Sequence, residues 1–157
     1  MESTPEQATR LERVAGALLA VGLLAGPGVT HLYWILGGTW GIHRSVGGQI
    51  EESTTTGIRV VAAIVLVLVV AAVLVVLARV GLWQQTFVSD RVVRVLAWAV
   101  VVVFLLEALA GFTYSREYEW WLYAPVALAL GLLALVVARS GAVTHTVRRP
   151  PYVVSSH

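Results

Sequence analysis

The sequence predicts an all-α protein, an antiparallel four-helix transmembrane bundle whose first helix is kinked at Pro27. Three observations carry that prediction. Of the 157 residues, 58% are hydrophobic and only 13% are charged, against about 25% charged in a soluble domain, so lipid rather than water is expected to solvate most of the surface. The apolar residues fall into four stretches separated by short polar links. The basic residues are eleven arginines and no lysine, placed in ones and twos at the segment ends. That scatter and the net charge of +2 form no basic stripe, so no nucleic-acid partner is expected. With no cysteine, disulfides, thiolate metal sites and cysteine nucleophiles are excluded.

Residues 1–157 read as one integral membrane domain, with flexible tails over 1–9 and 140–157. The apolar run Val14–Ala25 could be taken for the core of a signal peptide. The preceding segment, however, mixes three Glu with two Arg, no small-residue cleavage site follows, and the run continues into an aromatic stretch. An uncleaved first helix over about 10–36 is expected, bent where Pro27 removes a backbone donor. At 1.5 Å per residue, Val14 to His31 covers roughly 25 Å, which puts His31 near the far boundary of a hydrocarbon core about 30 Å thick. Val46–Thr56 reads as a polar loop.

The second helix, about 58–79, contains nineteen consecutive apolar residues from Val60 to Ala78. That run has no polar group to offer a site, so the helix is expected to be the most lipid-exposed of the four. Ser89 or Asp90 can cap a third helix over about 91–112, which past its first turn is apolar apart from Glu107. The fourth helix, about 120–139, carries Pro125 in its first turns, where a missing donor costs least. An echo of VVLARVG (Val75–Gly81) in LVVARSG (Leu135–Gly141) is ascribed to the Val/Ala/Leu/Arg bias of the chain.

Arginine counts set the expected orientation. Eight (Arg10, Arg13, Arg79, Arg91, Arg94, Arg139, Arg148, Arg149) lie on the side of both termini, and three (Arg44, Arg59, Arg116) on the other. The excess predicts cytoplasmic termini. The bias toward Arg, Val and Ala points to a GC-rich bacterial genome and hence a bacterial cytoplasmic membrane.

One stretch stands apart, HLYWILGGTWGIHR from His31 to Arg44. Its residues His31, Tyr33, Trp34, Gly37, Gly38, Trp40 and Gly41 resemble the signature of an uncharacterised bacterial family of small four-helix membrane proteins, a domain of unknown function. The resemblance implies the four-span layout and a membrane location, and it implies no activity. The glycines are read as ending the helix rather than as a packing seam.

The candidate chemistry lies on the side of this stretch. Glu107 is an acidic group inside a spanning helix, a placement that costs about 2.5–3.5 kcal/mol and is usually tied to a cavity or a partner. It is expected to turn into the bundle and share a cavity with His31 and Trp34, with Glu107 as acid and His31 as its partner; a structural hydrogen bond to His31 or Arg59 is the plain alternative. Tyr33, Trp34, Trp40, Tyr114, Trp120 and Trp121, together with Tyr118 and Tyr123, read either as an interfacial aromatic belt or as the wall of a pocket. Arg59 either joins that pocket or snorkels to headgroups. The histidines do not match in depth for haem, and no metal-ligand spacing is present, so neither a metal nor a cofactor is expected. Membrane lipid is the expected solvent partner.

Two functions are compatible with these residues. One is an outer-leaflet site for an apolar small molecule (isoprenoid, quinone or lipid), extending to acid-catalysed isomerisation or cyclisation. The other is a non-enzymatic accessory or scaffold subunit, packing against a larger membrane partner or against copies of itself.

Overall fold

The computed structural model describes residues 5–40, 52–83, 88–114 and 122–140. They form α1 (Pro5–Leu23), a π-helical turn (Leu24–Gly28), α2 (Val29–Ile35), α3 (Glu52–Arg79), α4 (Asp90–Tyr114) and α5 (Tyr123–Arg139), with no strand among the described residues. α1, the π turn and α2 follow one another without a break, so they make one span interrupted by a π turn, and the bundle has four.

Three spans, Arg10–Ile35, Thr56–Arg79 and Asp90–Thr113, are long and apolar enough to cross a membrane. α5 is apolar and shorter, at 17 residues. Pro27 lies in the π turn. Without a proline N–H the α pattern cannot continue, and the chain widens by one residue rather than breaking. Pro125 stands in the first turn of α5, as the sequence implies. α3 begins at Glu52, so the end of the expected Val46–Thr56 loop is helical; once a helix is nucleated, each further residue adds a backbone bond, and Ser and Thr are readily carried along. The remainder of that loop lies outside the described residues.

The four spans pack in chain order around a square. The first span touches α3 and α5, and α4 touches α3 and α5. The first span and α4 therefore stand on a diagonal. The core runs down the middle. Val69, Val73, Val76 and Val80 of α3 recur at spacings of four, three and four, giving one stripe. They meet Ala15, Leu19 and Leu23 of α1, Ala97 and Val101 of α4, and Leu130, Ala134 and Val137 of α5.

The α4–α5 contact is the most extensive. Gly111 and Gly131 make it close: a Cβ on Gly111 would lie 2.9 Å from Ala124 Cβ, and one on Gly131 would lie 2.8 Å from Leu105 Cδ2. Small residues let apolar helices approach where no hydrophobic force separates helix from lipid.

The expectation that the second helix is the most exposed is not met. In its apolar stretch α3 has 22% of residues buried, whereas α4 has 17%. α3 also packs against every other element. A helix made of Val, Ala and Leu on all sides fits any neighbour, so lack of polar groups does not mark it as peripheral.

Candidate functional site

Two polar features interrupt the apolar spans at the end of the bundle that carries the HLYW stretch, and a third lies at the opposite end.

The first is built on α2. His31 follows the π turn and is half-buried. Its Nδ1 lies 2.7 Å from the Pro27 carbonyl oxygen. A carbonyl only accepts, so Nδ1 carries the proton and Nε2 is the nitrogen left for another group. Trp34, one turn further on, meets the imidazole edge-on, with ring centroids 5.0 Å apart at 65°. The shared helix face expected from their spacing is thus present.

α2 then ends in a Schellman turn. Gly37 N–H donates to the Trp34 carbonyl at 3.1 Å and Gly38 N–H to the Tyr33 carbonyl at 2.9 Å. Gly37 has φ +99°, which a side chain would strain. This turn folds the chain back, and the indole Nε1–H of Trp34 donates to the Trp40 carbonyl at 2.9 Å. Gly38 lies directly against the Tyr33 ring, where a Cβ would overlap the ring atoms. The Arg59 guanidinium reaches over from α3, with Nη2 3.3 Å from where a Gly37 Cβ would stand. The HLYW and GGTW halves of the stretch are therefore one folded unit. Tyr33 (44% exposed) and Trp40 (63% exposed) form its outer rim. Both Gly37 and Gly38 are read correctly from sequence as helix-ending residues.

The second feature is Glu107, and here the expectation is corrected. Glu107 is exposed on the flank of α4, not turned into the bundle. The buried stripe of α4 runs through Val93, Ala97, Val101 and Ala108, and Glu107 lies about 90° around the helix from its centre, at 100° per residue. α2 packs on α3 and the π turn and forms no extended contact with α4, so the structure does not bring His31 and Glu107 to one cavity. The square order of the spans is the reason, because it sets the first and third on a diagonal. Among the described residues no hydrogen bond or ion pair reaches Glu107.

Tyr114 ends α4, but its side chain lies outside the described residues, as do Trp120 and Trp121. Tyr123, expected in the same aromatic group, opens α5 and is partly exposed.

The third feature was missed by sequence reasoning. Arg79, at the last turn of α3, is only 6% exposed. Its guanidinium Nη2 donates to the backbone carbonyl of Ser140, the C-cap of α5, while Arg79 Nε has no partner. A cation at the carbonyl end of a helix also interacts favourably with the negative pole of the helix dipole. The sequence did carry a signal: Arg79 and Ser140 belong to the two echoed stretches, and Arg79 of one holds Ser140 of the other. Gly81 closes α3 at φ +71° with a second Schellman turn, Gly81 N–H to Ala78 O at 3.2 Å and Leu82 N–H to Leu77 O at 2.9 Å.

Fold and features define a helical bundle compatible with a multi-pass membrane protein. The family described as "Protein of unknown function (DUF3995)" matches residues 24–134, a span that takes in the π turn, the HLYW unit, Arg59, Arg79 and Glu107, and the chain belongs to it. No curated protein and no solved structure matches the chain significantly.

Proposed function

We propose that this chain is a membrane-embedded binding module whose outer-leaflet shelf, built on His31, Tyr33, Trp34, Trp40 and Arg59, takes an apolar molecule with a polar head, of the isoprenoid, quinone or lipid class. The observation that carries the reading is the clamped imidazole. His31 is fixed at Nδ1 by Pro27 and at its edge by Trp34, which leaves Nε2 as a positioned polar group beside exposed aromatic surface. Aromatic faces with one oriented polar atom suit a small amphiphile. The arginine asymmetry supports cytoplasmic termini, and with them a shelf at the outer leaflet.

Binding is favoured over isomerisation or cyclisation because Glu107, the intended acid, is not on the shelf. The accessory-subunit reading has its own support in the outward placement of Glu107.

The test is mass spectrometry of small molecules that co-purify with the full chain in mild detergent. An amphiphile should accompany the wild type. It should fall about tenfold in Trp34→Ala, a loss in line with removing one aromatic contact, while the helical content is unchanged. Equal retention by wild type, His31→Ala and Trp34→Ala would remove the shelf from consideration.

A further inference from the structure

We propose that the shelf selects its ligand by a hydroxyl head: it takes a membrane-soluble alcohol or phenol, whose O–H donates to His31 Nε2, and discriminates against a head that only accepts. The proposal rests on the shelf being a binding site, as proposed above, and narrows what it binds.

The polarity of the imidazole is set by its own helix. Nδ1 lies 2.7 Å from the Pro27 carbonyl oxygen. A carbonyl cannot donate, so the single proton of a neutral ring stays on Nδ1 and Nε2 presents a bare lone pair. Among the described residues the bond to Pro27 is the only hydrogen bond or ion pair of His31. A doubly protonated ring would be an unpaired cation inside the span, which is costly. The neutral ring carries no such cost.

That lone pair is open. Arg79 Nε is the only buried side-chain nitrogen or oxygen without a partner among the described residues. His31 is half-buried and its Nε2 is unpaired among them, so Nε2 reaches the surface. The donors of the shelf are held elsewhere. Trp34 Nε1–H bonds the Trp40 carbonyl. The Arg59 guanidinium stands beside Gly37, six residues and roughly 9 Å further along the axis. What meets Nε2 therefore comes from the membrane.

Depth decides the charge of the head. His31 is four residues before the end of the span Arg10–Ile35, about 6 Å inside it. An ionised head such as a phosphate loses far more on leaving water than a hydroxyl does. Ketone, ester, ether and oxidised quinone heads set an oxygen lone pair against the nitrogen lone pair and form no bond. Of the classes named above, prenyl alcohols and quinols fit, and quinones do not.

The probes are farnesol and farnesyl methyl ether, which share a chain and differ in the donor. They are titrated into the full-length protein in lipid nanodiscs and followed by nitrogen NMR of labelled histidine, the His31 signals being those lost in His31→Phe. Nε2 should read as unprotonated, and farnesol should shift it. Farnesol should bind about tenfold more tightly than the ether, the worth of one hydrogen bond. His31→Phe keeps the ring against Trp34 and should erase that preference. A protonated Nε2 in the free protein, equal binding of the two probes, or a preference that survives His31→Phe would overturn the proposal. Equal binding leaves the shelf itself standing, whereas binding of neither probe removes the shelf and the proposal together. The comparison of probes on the wild type does not depend on the variant folding.

Discussion

Arg79 and Glu107 are both ionisable residues that interrupt or end long apolar runs, and the fold treats them in opposite ways. Arg79 is buried and bound to the end of another helix. Glu107 is exposed and has no partner among the described residues. A charge satisfied within the chain holds that chain together. A charge left on the lipid face contributes nothing to the single bundle, so its reason must lie in what the bundle meets. The two residues should therefore respond differently to removal.

The largest effect is expected at Arg79. Arg79→Ala strips the Ser140 carbonyl of its donor and leaves a hole at the α3–α5 end, so a loss of about 2–3 kcal/mol is expected, seen as a lower melting temperature in detergent. An unchanged melt would show the clamp to be incidental. His31 should fall between the extremes. His31→Phe keeps the contact with Trp34 but removes the bond to Pro27, at about 1 kcal/mol. Ser140→Ala should cost less, about 0.5 kcal/mol. Arg79 holds the backbone carbonyl, and the hydroxyl only bonds Val137 in its own helix. A loss at Ser140 matching that at Arg79 would mean the side chain, not the carbonyl, is the anchor. Glu107→Leu should change the stability of the isolated monomer least, within about 0.5 kcal/mol and toward gain, because it exchanges a lipid-facing carboxyl for an apolar group. A clear destabilisation measured where the protein is monomeric would show that Glu107 has a partner within its own chain.

The same contrast marks what the sequence could reveal. Four spans, the disruption of the α pattern at Pro27 and the glycine stops at Gly37 and Gly38 were legible, because each depends on local chemistry: run length, a missing donor, a positive φ. The pairing of His31 with Trp34 followed from their three-residue spacing. The direction of Glu107 was not legible. In a water-soluble helix the polar face reveals the buried one, but in α4 the residues toward lipid and toward the core are alike Val, Ala and Leu, so no periodicity fixes the rotation. The order of the spans was hidden for the same reason, and with it the separation of Glu107 from His31. The clamp made by Arg79 was not legible because an arginine at the end of an apolar run carries no local sign of whether it snorkels to the headgroups or is covered, as here, by the end of α5.

The π turn at Leu24–Gly28 has one more consequence. A turn of this kind is an α-helix with a single surplus residue looped out of its cadence. The residues before and after it are thus out of step by one position, and His31 occupies the direction that position 30 would hold in an unbroken helix. Removing one codon from this turn together with replacing Pro27 would restore the even cadence and still aim the imidazole the same way. Inserting or deleting a residue anywhere between Val29 and His31 would swing it by about 100°. For this segment, alignment gaps are rotations, and a gap placed a few residues off would superimpose side chains that point to different sides of the membrane helix.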